Sequence, residues 1–536
     1  MRDLFHTPKV GKDPVFLCAT NLIFLVKTGM ACSCVIDWQQ IYKPMRDPQF
    51  NNSYASLSDR FYQRALPETF PNPTLIVLNT ALAENMDLDV DWLNTTQGLG
   101  MLSGQDMPEG ADPIAMAYAG HQFGGWSPQL GDGRALLLGE IIAKDGTRLD
   151  VQLKGSGRTP FSRGGDGKAG LGPVLREYIV SEAMHAYGVP TTRALAACLT
   201  GATILRQEGE IAGAILTRVA QSHIRIGTFQ YFYARGDVEA LAELSDYVIN
   251  RHFPDVKSAK NPYDKMLKTI IARQAKLIAK WMGLGFIHGV MNTDNMQIVG
   301  ETIDYGPCAF MDVFHLQKTF SSIDRRGRYA WAAQPSMALW NLSQLAQALS
   351  PILDTDEKQS AKIAQSALET FHSIFQTEMN AVFRAKFGFT HMDMDLDRFL
   401  KMTFETMTEH EIDFTLFFRR LTKIANGHDE DAFLHMFNDP YSGKEWLSLW
   451  KKEIKREEGN VVAGQDLAVM QFANPIFIPR NHRIEECIQN ALGGDFTLFH
   501  RLVQTLKMPF TEQDENTDLE MAPRQEEVVQ HTFCGT

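Results

Sequence analysis

Apolar residues recur every three or four positions in several long stretches of this chain, which is the spacing of a helix with one buried face. The clearest stretch is 265–283, where six large apolar side chains share one face: Leu267, Ile270, Ile271, Leu277, Ile278 and Trp281. The same periodicity over 338–350, 360–384 and 410–424 predicts three more helices. The chain beyond Asp312 is therefore predicted to be mostly helical.

Shorter apolar runs earlier in the chain predict strands. The segments "RALLLGEII" and "RLDVQLKG" flank a "KDG" turn, which predicts an antiparallel pair. A helix is predicted next, because Pro173 suits a first helical turn, and Gly188 and Pro190 stop the helix. The segments "MQIV" and "ETID" on either side of Gly300 predict two further short strands. A first part with strands and a helical second part together predict an α+β fold.

The two ends of the chain are predicted to differ from its body. The apolar run Val15–Val26 has only twelve residues, too few to span a bilayer, which takes about 20. Asp3 and Asp13 weaken its interpretation as a signal peptide. We expect residues 1–48 to form an N-terminal extension that is poorly ordered or lies upstream of the true start. The acidic, polar tail 511–536 is expected to be mobile.

Composition narrows the class of protein. A hydrophobic content of 44% with 22% charged residues is ordinary for a globular protein. The net charge of -12 argues against general nucleic-acid binding, which favours a basic face. Seven cysteines lie scattered without a CxxC pair, so a disulfide scaffold or zinc site is not indicated. We expect a cytoplasmic monomer that binds neither nucleic acid nor membrane.

Two glycine-rich segments surround the predicted strand pair. The first, "GHQFGGWSPQLGDG", precedes the strands, and Lys154 ends the second strand. Eighteen residues then separate Lys154 from Pro173, and seven of them are Gly. This second segment also carries Arg158, Arg163 and Lys168. Backbone N–H groups of such loops bind anions, and glycines, two strands and a lysine in this order are typical of a kinase nucleotide-binding lobe.

A later segment has the spacing of a kinase catalytic loop. In kinases, a His and an Asn seven residues apart frame this loop, and the catalytic Asp lies two after the His. His288 and Asn295 keep that spacing, and the "DYG" that begins at Asp304 follows nine residues later. Asn and Asp oxygens at these places suit Mg²⁺ or Mn²⁺. The position of the catalytic Asp, however, is Val290.

A carboxylate is nevertheless present in the loop. Asp294 directly precedes Asn295, and it could accept the proton of an attacking hydroxyl. Its displacement from position 290 indicates a changed nucleophile position. If the second glycine segment and Lys154 hold the β- and γ-phosphates of a nucleotide, the α-phosphate faces the acceptor. Attack there would transfer AMP and release pyrophosphate.

Four long segments resemble the selenoprotein O family of pseudokinase-like protein adenylyltransferases. They are "AYAGHQFGGWSPQLGDGRALLLGE", "VQLKGSGRTPFSRGGDGKAGLGPVLREYIVSEAMHAYGVPTTRAL", "LTRVAQSHIRIGTFQYF" and "FIHGVMNTDNMQIVGETIDYGPCAFMD". The resemblance runs from about Asn51 to the C terminus and says nothing about the front extension. It implies a two-lobed kinase-like fold, ATP bound in the reverse orientation, and transfer of AMP to Ser, Thr or Tyr hydroxyls of proteins.

The resemblance also implies roles for single residues. The base falls on Asp294, and the ligands of Mg²⁺ or Mn²⁺ fall on Asn295 and Asp304. Glu177 corresponds to the helix acid that pairs with the nucleotide lysine. The nucleotide contacts fall on Gly131, Gly133, Arg134, Lys154, Asp166, Gly167, Arg218, Arg225 and Asp304. Without the family, Arg218 and Arg225 would be interpreted as surface ion-pair residues and His288 as structural.

The predicted organisation has five parts. They are the extension 1–48, a packed N-terminal segment 49–115, a kinase-like N-lobe 116–235, a helical C-lobe with the catalytic loop 236–510, and the tail 511–536. Two alternatives to an adenylyltransferase remain: a conventional phosphotransferase, and a non-catalytic nucleotide-binding scaffold. UTP also remains possible as a donor.

A redox switch is a further hypothesis. Cys534 is the third residue from the end of the sequence, near the place where eukaryotic family members carry selenocysteine, and Cys308 follows Asp304 by four residues. Cytosolic disulfides are usually transient and regulatory. A reversible Cys308–Cys534 bond would fix the segment after the metal-binding turn.

Overall fold

The computed structural model describes residues 47–206, 209–389, 395–455 and 464–533. The predicted extension, apart from residues 47 and 48, and the predicted redox partner Cys534 lie outside this part of the chain. Its twelve strands are β1 (Tyr62–Arg64), β2 (Thr74–Leu78), β3 (Ile114–Met116), β4 (Gly120–Gln122), β5 (Gly125–Ser127), β6 (Ala135–Ile142), β7 (Arg148–Lys154), β8 (Ala169–Gly170), β9 (Arg193–Arg206), β10 (Gly209–Ala220), β11 (Phe286–Ile287) and β12 (Ala309–Phe310).

The helices of the same part of the chain follow in order. They are α1 (Thr80–Asn85), α2 (Val90–Leu93), α3 (Thr96–Ser103), α4 (Leu171–Ala186), α5 (Ile226–Tyr233), α6 (Val238–His252), α7 (Pro262–Gly283), α8 (Gln334–Leu353), α9 (Glu357–Phe387), α10 (Leu396–Glu409), α11 (Phe414–Ala425), α12 (Asp431–Leu434), α13 (Pro440–Lys455), α14 (Gly464–Ala473), α15 (Asn481–Leu492), α16 (Thr497–Leu506) and α17 (Thr517–Glu520). The helices predicted over 265–283, 338–350 and 360–384 lie within α7, α8 and α9.

The main sheet has the strand order β1-β3-β6-β7-β10-β9-β2, with β8 beside β10. The predicted strand pair is confirmed, since β6 and β7 run antiparallel with Ala135 opposite Lys154 and Ile142 opposite Arg148. On β10, Leu216 lies opposite Lys154, and Arg218 lies opposite Gln152. Because side chains alternate along a strand, Lys154 and Arg218 lie on the same face of the sheet.

The two faces of the sheet belong to different hydrophobic clusters. Ile215 packs with Val151, Leu153 and residues of α1–α3 on one face. Leu216, the next residue, packs with α4 and the helical part of the chain on the other. Successive strand residues point to opposite faces, so both faces of β10 are buried. The face of Leu216 is also the face of Lys154, and it therefore lies toward α4.

Helix α4 is held between the sheet and the C-terminal helices. It begins at Leu171, so Pro173 stands in the first turn as predicted, where its missing N–H is not needed. It packs against α15 and α16. Arg176 of α4 forms an ion pair with Glu485 of α15 and donates to the carbonyl oxygen of Cys308 at 3.4 Å. Glu177 therefore has a fixed position.

Two expectations about local structure need correction. The segment 296–303 does not form a strand pair, because its backbone groups bond to other parts of the chain. Gln297 forms a single bridge with Arg225, and Thr302 forms one with Thr191. The helix predicted over 410–424 begins later, at Phe414.

The tail differs from the expected mobile segment as far as residue 533. Leu519 is buried, and Glu512 forms an ion pair with Arg419. The backbone N–H of Thr532 donates to Phe320 O at 2.7 Å, and its hydroxyl donates to Pro307 O at 2.6 Å. These contacts hold the tail against the segment that follows the "DYG" turn. Among the helices described, none is both long and apolar enough to cross a membrane.

Candidate active site

A cleft of about 590 Å³ opens between the sheet, α4 and the catalytic loop. It brings together every residue that the sequence assigned to nucleotide, metal or proton transfer. Its lining includes Gly131, Gly133, Arg134, Lys154, Asp166, Gly167, Glu177, Arg218, Arg225, Asp294, Asn295 and Asp304. Cys308 is buried but does not line this cleft.

A network of ion pairs forms the floor of the cleft. Lys154 Nζ lies 2.5 Å from Glu177 Oε2 and 2.7 Å from Asp304 Oδ1. Arg218 Nη1 lies 3.0 Å from Glu177 Oε1 and 2.8 Å from Asp304 Oδ1. Arg225 Nη1 lies 2.7 Å from Asp304 Oδ2. Arg225 Nη2 also lies 3.9 Å from Asp132 Oδ1, so three cations face three carboxylates in this network.

Asp304 is the centre of this network. Burial alone would raise the pKa of its carboxyl group, but the charges of Lys154, Arg225 and Arg218 outweigh burial and hold that pKa well below its usual range. Its φ of 63° is in the left-handed region, an uncommon conformation for a residue other than Gly and one that clusters at functional sites. Asp304 is therefore ionised at neutral pH.

Arg218 and Arg225 are not surface ion-pair residues. Their relative exposures are 1% and 3%. Arg225 also packs over the Tyr118 ring at 4.8 Å and donates to the carbonyl oxygen of Asp294 at 2.6 Å. Burial of a charge is costly unless it is paired, and each guanidinium here is paired. Arg225 thereby connects the two carboxylate residues of the site.

The second glycine segment closes on itself. Gly157 N–H donates to Gly167 O at 3.1 Å. Gly167 has a φ of +68°, and a Cβ there would lie 2.0 Å from Gly157 O, so only glycine fits. The Asp166 carboxylate is engaged at the rim by Arg206 Nη1 at 2.7 Å and by Lys168 N–H at 3.0 Å. Arg206, which the sequence analysis did not single out, therefore positions this loop.

Asp294 lies in the short 3-10 turn Thr293–Asn295 at 6% exposure. Gln122 Nε2 donates to its Oδ2 at 3.1 Å. Its Oδ1 is buried, with no hydrogen-bond partner in the part of the chain described. Burial raises the pKa of this carboxyl group to about 6. One carboxylate oxygen is therefore held by Gln122, and the other lies against strand β4 with no hydrogen-bond partner among the described residues.

Gln122 and Gly120 were missed by the sequence analysis. Both belong to β4, which pairs with β5 to form a hairpin beside the catalytic loop. A Cβ on Gly120 would lie 2.6 Å from Asp294 Oδ1, so the strand approaches the carboxylate closely. The glycine-rich segment "GHQFGG" was visible in the sequence, but nothing local linked it to a loop about 170 residues later.

Asn295 and His288 have different orientations in the loop. Asn295 Nδ2 donates to Val290 O at 2.9 Å, which leaves its Oδ1 as an oxygen donor for a ligand. His288 is fully buried, and its Nε2 donates to Ile303 O at 2.8 Å, while Val290 N–H donates to its Nδ1. Burial lowers the pKa of this imidazole. A neutral His288 therefore fixes the residue before Asp304, in the structural role predicted for it.

Known proteins are similar to this chain over most of its length. A family model described as "Protein adenylyltransferase SelO" matches residues 44–507. The chain belongs to the SelO family. A protein nucleotidyltransferase YdiU from Rhodopseudomonas palustris (strain BisB5) is 52% identical over 489 residues, covering 91% of this chain and 99% of the relative. The YdiU of Agrobacterium fabrum is 51% identical over 492 residues, covering 91% and 100%. The predicted family, the kinase-like α+β fold class and the enzyme class, a nucleotidyltransferase, are confirmed.

The oxygen donors of the site fit a hard divalent cation. The structure, over the residues it describes, has no group of three or more His, Cys, Asp and Glu side chains arranged for a metal. Mg²⁺ does not need such a group, since it usually retains water and bridges phosphates with one or two protein ligands. The Asn295 Oδ1 and the ionised Asp304 would be the two protein ligands of such a cation in this cleft.

Proposed function

We propose that this SelO-family chain transfers AMP from ATP to a Ser, Thr or Tyr hydroxyl of a protein and releases pyrophosphate. The observation that carries the proposal is the state of Asp294. It is a buried carboxylate with one oxygen held by Gln122 and one unpaired, four positions beyond the apolar Val290. A base at this place suits an acceptor hydroxyl that approaches a different phosphorus atom from the one a kinase attacks.

The cations of the cleft are proposed to hold the triphosphate. Lys154, Arg218 and Arg225 reach Asp304 from three directions and place three positive charges beside it. The rim adds Arg134 and the glycine segment that contains Gly167. Negative charge grows on pyrophosphate as it leaves, and preorganised cations stabilise that charge without reorganising. Gly131, Gly133 and Asp166 shape the loops around this anion.

The positions of Glu177, Asn295, Asp304 and Asp294 in the cleft suggest their roles. Glu177 pairs with Lys154 and Arg218 and holds both in place before nucleotide arrives. Asn295 and Asp304 would hold Mg²⁺ or Mn²⁺, which when bound neutralises phosphate charge. The Asp294 carboxylate takes the proton of the acceptor hydroxyl. The order of these groups in the cleft supports an acceptor at the Asp294 side and a leaving group at the Lys154 side.

The test is to follow the two ends of ATP separately. Protein is incubated with a bacterial extract, Mg²⁺ or Mn²⁺, and ATP labelled either at the α- or at the γ-phosphate. Label from the α-phosphate in protein, with pyrophosphate released, is the expected result. Asp294→Asn, which keeps the side-chain shape, should lose transfer and retain ATP binding. Label from the γ-phosphate would establish the phosphotransferase instead, and bound ATP with neither label transferred would establish the scaffold. UTP labelled at the α-phosphate measures donor preference.

We also propose that Cys308 and Cys534 form a reversible disulfide. Cys534 lies outside the described residues, but Thr532, two residues earlier, donates to Pro307 O next to Cys308. The tail thus reaches the segment that carries Cys308. Oxidation removes two protons and two electrons from the thiols, and oxidised glutathione would accept them as two molecules of glutathione. Thiol trapping of glutathione-oxidised protein should find both cysteines blocked; two reactive thiols would contradict this pairing.

A further inference from the structure

The segment 313–331, which follows the "DYG" turn, carries unpaired positive charge. Lys318, Arg325, Arg326 and Arg328 lie in it, and no carboxylate oxygen in the described part of the chain lies within ion-pair distance of them. The whole chain has a net charge of -12. A local group of free cations on an acidic protein attracts anions selectively at that place.

Arg328 differs from its neighbours because it has a fixed environment. Its guanidinium lies over the Trp340 ring at 4.7 Å. A Cβ on Gly124, at the tip of the β4–β5 hairpin, would lie 3.6 Å from the guanidinium carbon. Its Nε is buried without a hydrogen-bond partner among the described residues. Arg325 and Arg326, in contrast, are exposed to solvent.

The same hairpin connects Arg328 to the proposed base. Gln122, two residues before Gly124, holds the Asp294 carboxylate. Asn292 Oδ1 accepts from Phe123 N–H at 3.0 Å and from the Tyr329 hydroxyl at 2.9 Å. The catalytic loop therefore contacts both the hairpin and the residue that follows Arg328. The hairpin therefore contacts both Arg328 and the proposed base.

The outer surface of the hairpin is suited to a polypeptide. Trp126 of β5 is 41% exposed and packs against His121 at 4.8 Å between ring centroids. His121 in turn lies edge-on to Trp340 at 5.2 Å. Exposed aromatic side chains beside an unpaired arginine are typical of protein-recognition surfaces.

We propose that the β4–β5 hairpin, Gly120–Ser127, together with Arg328 forms the acceptor subsite of this enzyme, and that Arg328 binds an acidic side chain one to three residues from the modified hydroxyl. The proposal rests on the proposed function and adds a substrate class to it. A guanidinium pairs with a carboxylate through two parallel N–H donors, which fixes the orientation of the partner. The aromatic rings of Trp126 and Trp340 would contact the neighbouring part of the acceptor chain.

The experiment maps the residues that flank each AMP-modified hydroxyl. The soluble proteins of a bacterial extract are incubated with ATP and wild-type enzyme, and the modified sites are read by mass spectrometry. Arg328→Gln and Arg328→Glu are run in parallel, and Arg325→Gln, an exposed cation outside the subsite, is the matched control. ATP affinity is measured for all four proteins to show that the nucleotide cleft is intact.

We expect Asp and Glu to be enriched about five-fold at one flanking position with the wild type and with Arg325→Gln, the effect of one well-placed ion pair. Arg328→Gln should lose this enrichment, and Arg328→Glu should favour Lys and Arg at the same position. Modified sites without acidic enrichment, or unchanged enrichment with Arg328→Gln, would overturn the subsite. Absence of AMP on any protein would instead remove the proposed function and the subsite with it.

Discussion

The close approach of strand β4 to the proposed base allows a sharp test. In Gly120→Ala the new Cβ would stand 2.6 Å from Asp294 Oδ1, and ordinary contact for a Cβ begins at 3.4 Å. The carboxylate or the strand must therefore move by about 0.8 Å. Gly120 does not have a left-handed φ, so alanine is acceptable to the backbone and the effect is confined to the contact. A misplacement near 1 Å costs about 100-fold in rate.

The assay compares the rate of AMP transfer from α-labelled ATP with the dissociation constant for ATP. We expect Gly120→Ala to slow transfer by about 100-fold and to leave ATP affinity within about two-fold, since Lys154, Arg218 and Arg225 are not contacted. Gly493→Ala at the exposed end of α15 is the control, because its φ is -81° and its Cβ would meet only backbone oxygens of its own helix, the nearer at 3.2 Å. Full activity in Gly120→Ala, or an equal loss in both variants, would refute the proposed position of the base.

Three further changes test other parts of the structure. Asp294→Asn keeps the hydrogen-bonding shape of the base and should reduce transfer by at least about 100-fold, measured at saturating ATP. Arg480 is buried and pairs with Asp312 at 2.5 Å. Arg480→Gln should therefore destabilise the protein by about 3–5 kcal/mol and lower its thermal midpoint. Arg483 belongs to a partly exposed ion pair, so Arg483→Gln should cost less than about 1 kcal/mol. Burial lowers the pKa of Lys386 from 10.5 to about 7, so the unfolded chain binds more protons than the folded chain between these values. Stability should then rise from pH 7 to pH 9 by about 2 kcal/mol more in wild type than in Lys386→Met, followed by denaturation at both pH values; equal slopes would contradict this.

Local patterns predicted the parts of the fold that local residues determine. The "KDG" turn between two apolar runs predicted β6 and β7, and the 3.6-residue period predicted α7 almost to its ends. The spacing of His288, Asn295 and Asp304 predicted the loop that brings Asn295 and Asp304 into the cleft. The segment 296–303 has a strand-like composition, but its backbone partners are Arg225 and Thr191, which no local pattern indicates.

Contacts between segments that are distant along the chain could not be predicted from the sequence. Gln122 meets Asp294 across 172 positions, and Arg176 meets Glu485 across 309. Each of these residues, taken singly, is of a polar type that is common at protein surfaces. Arg218 illustrates the same limit, because burial depends on α4 and the catalytic loop closing over it. The family resemblance assigned it a role that its neighbours in sequence did not.

The attachment of the last residues to the catalytic half has a consequence for the newly made chain. Helix α4 packs against α15 and α16, and Thr532 forms a hydrogen bond with the segment after the "DYG" turn. During synthesis these elements leave the ribosome after everything they support. A nascent chain that already contains Lys154 and Asp304 therefore still lacks the supports of both segments. The residues of the cleft are therefore made before the segments that hold them in place, and a chain that stopped before α15 would leave exposed the surface of α4 that α15 and α16 cover.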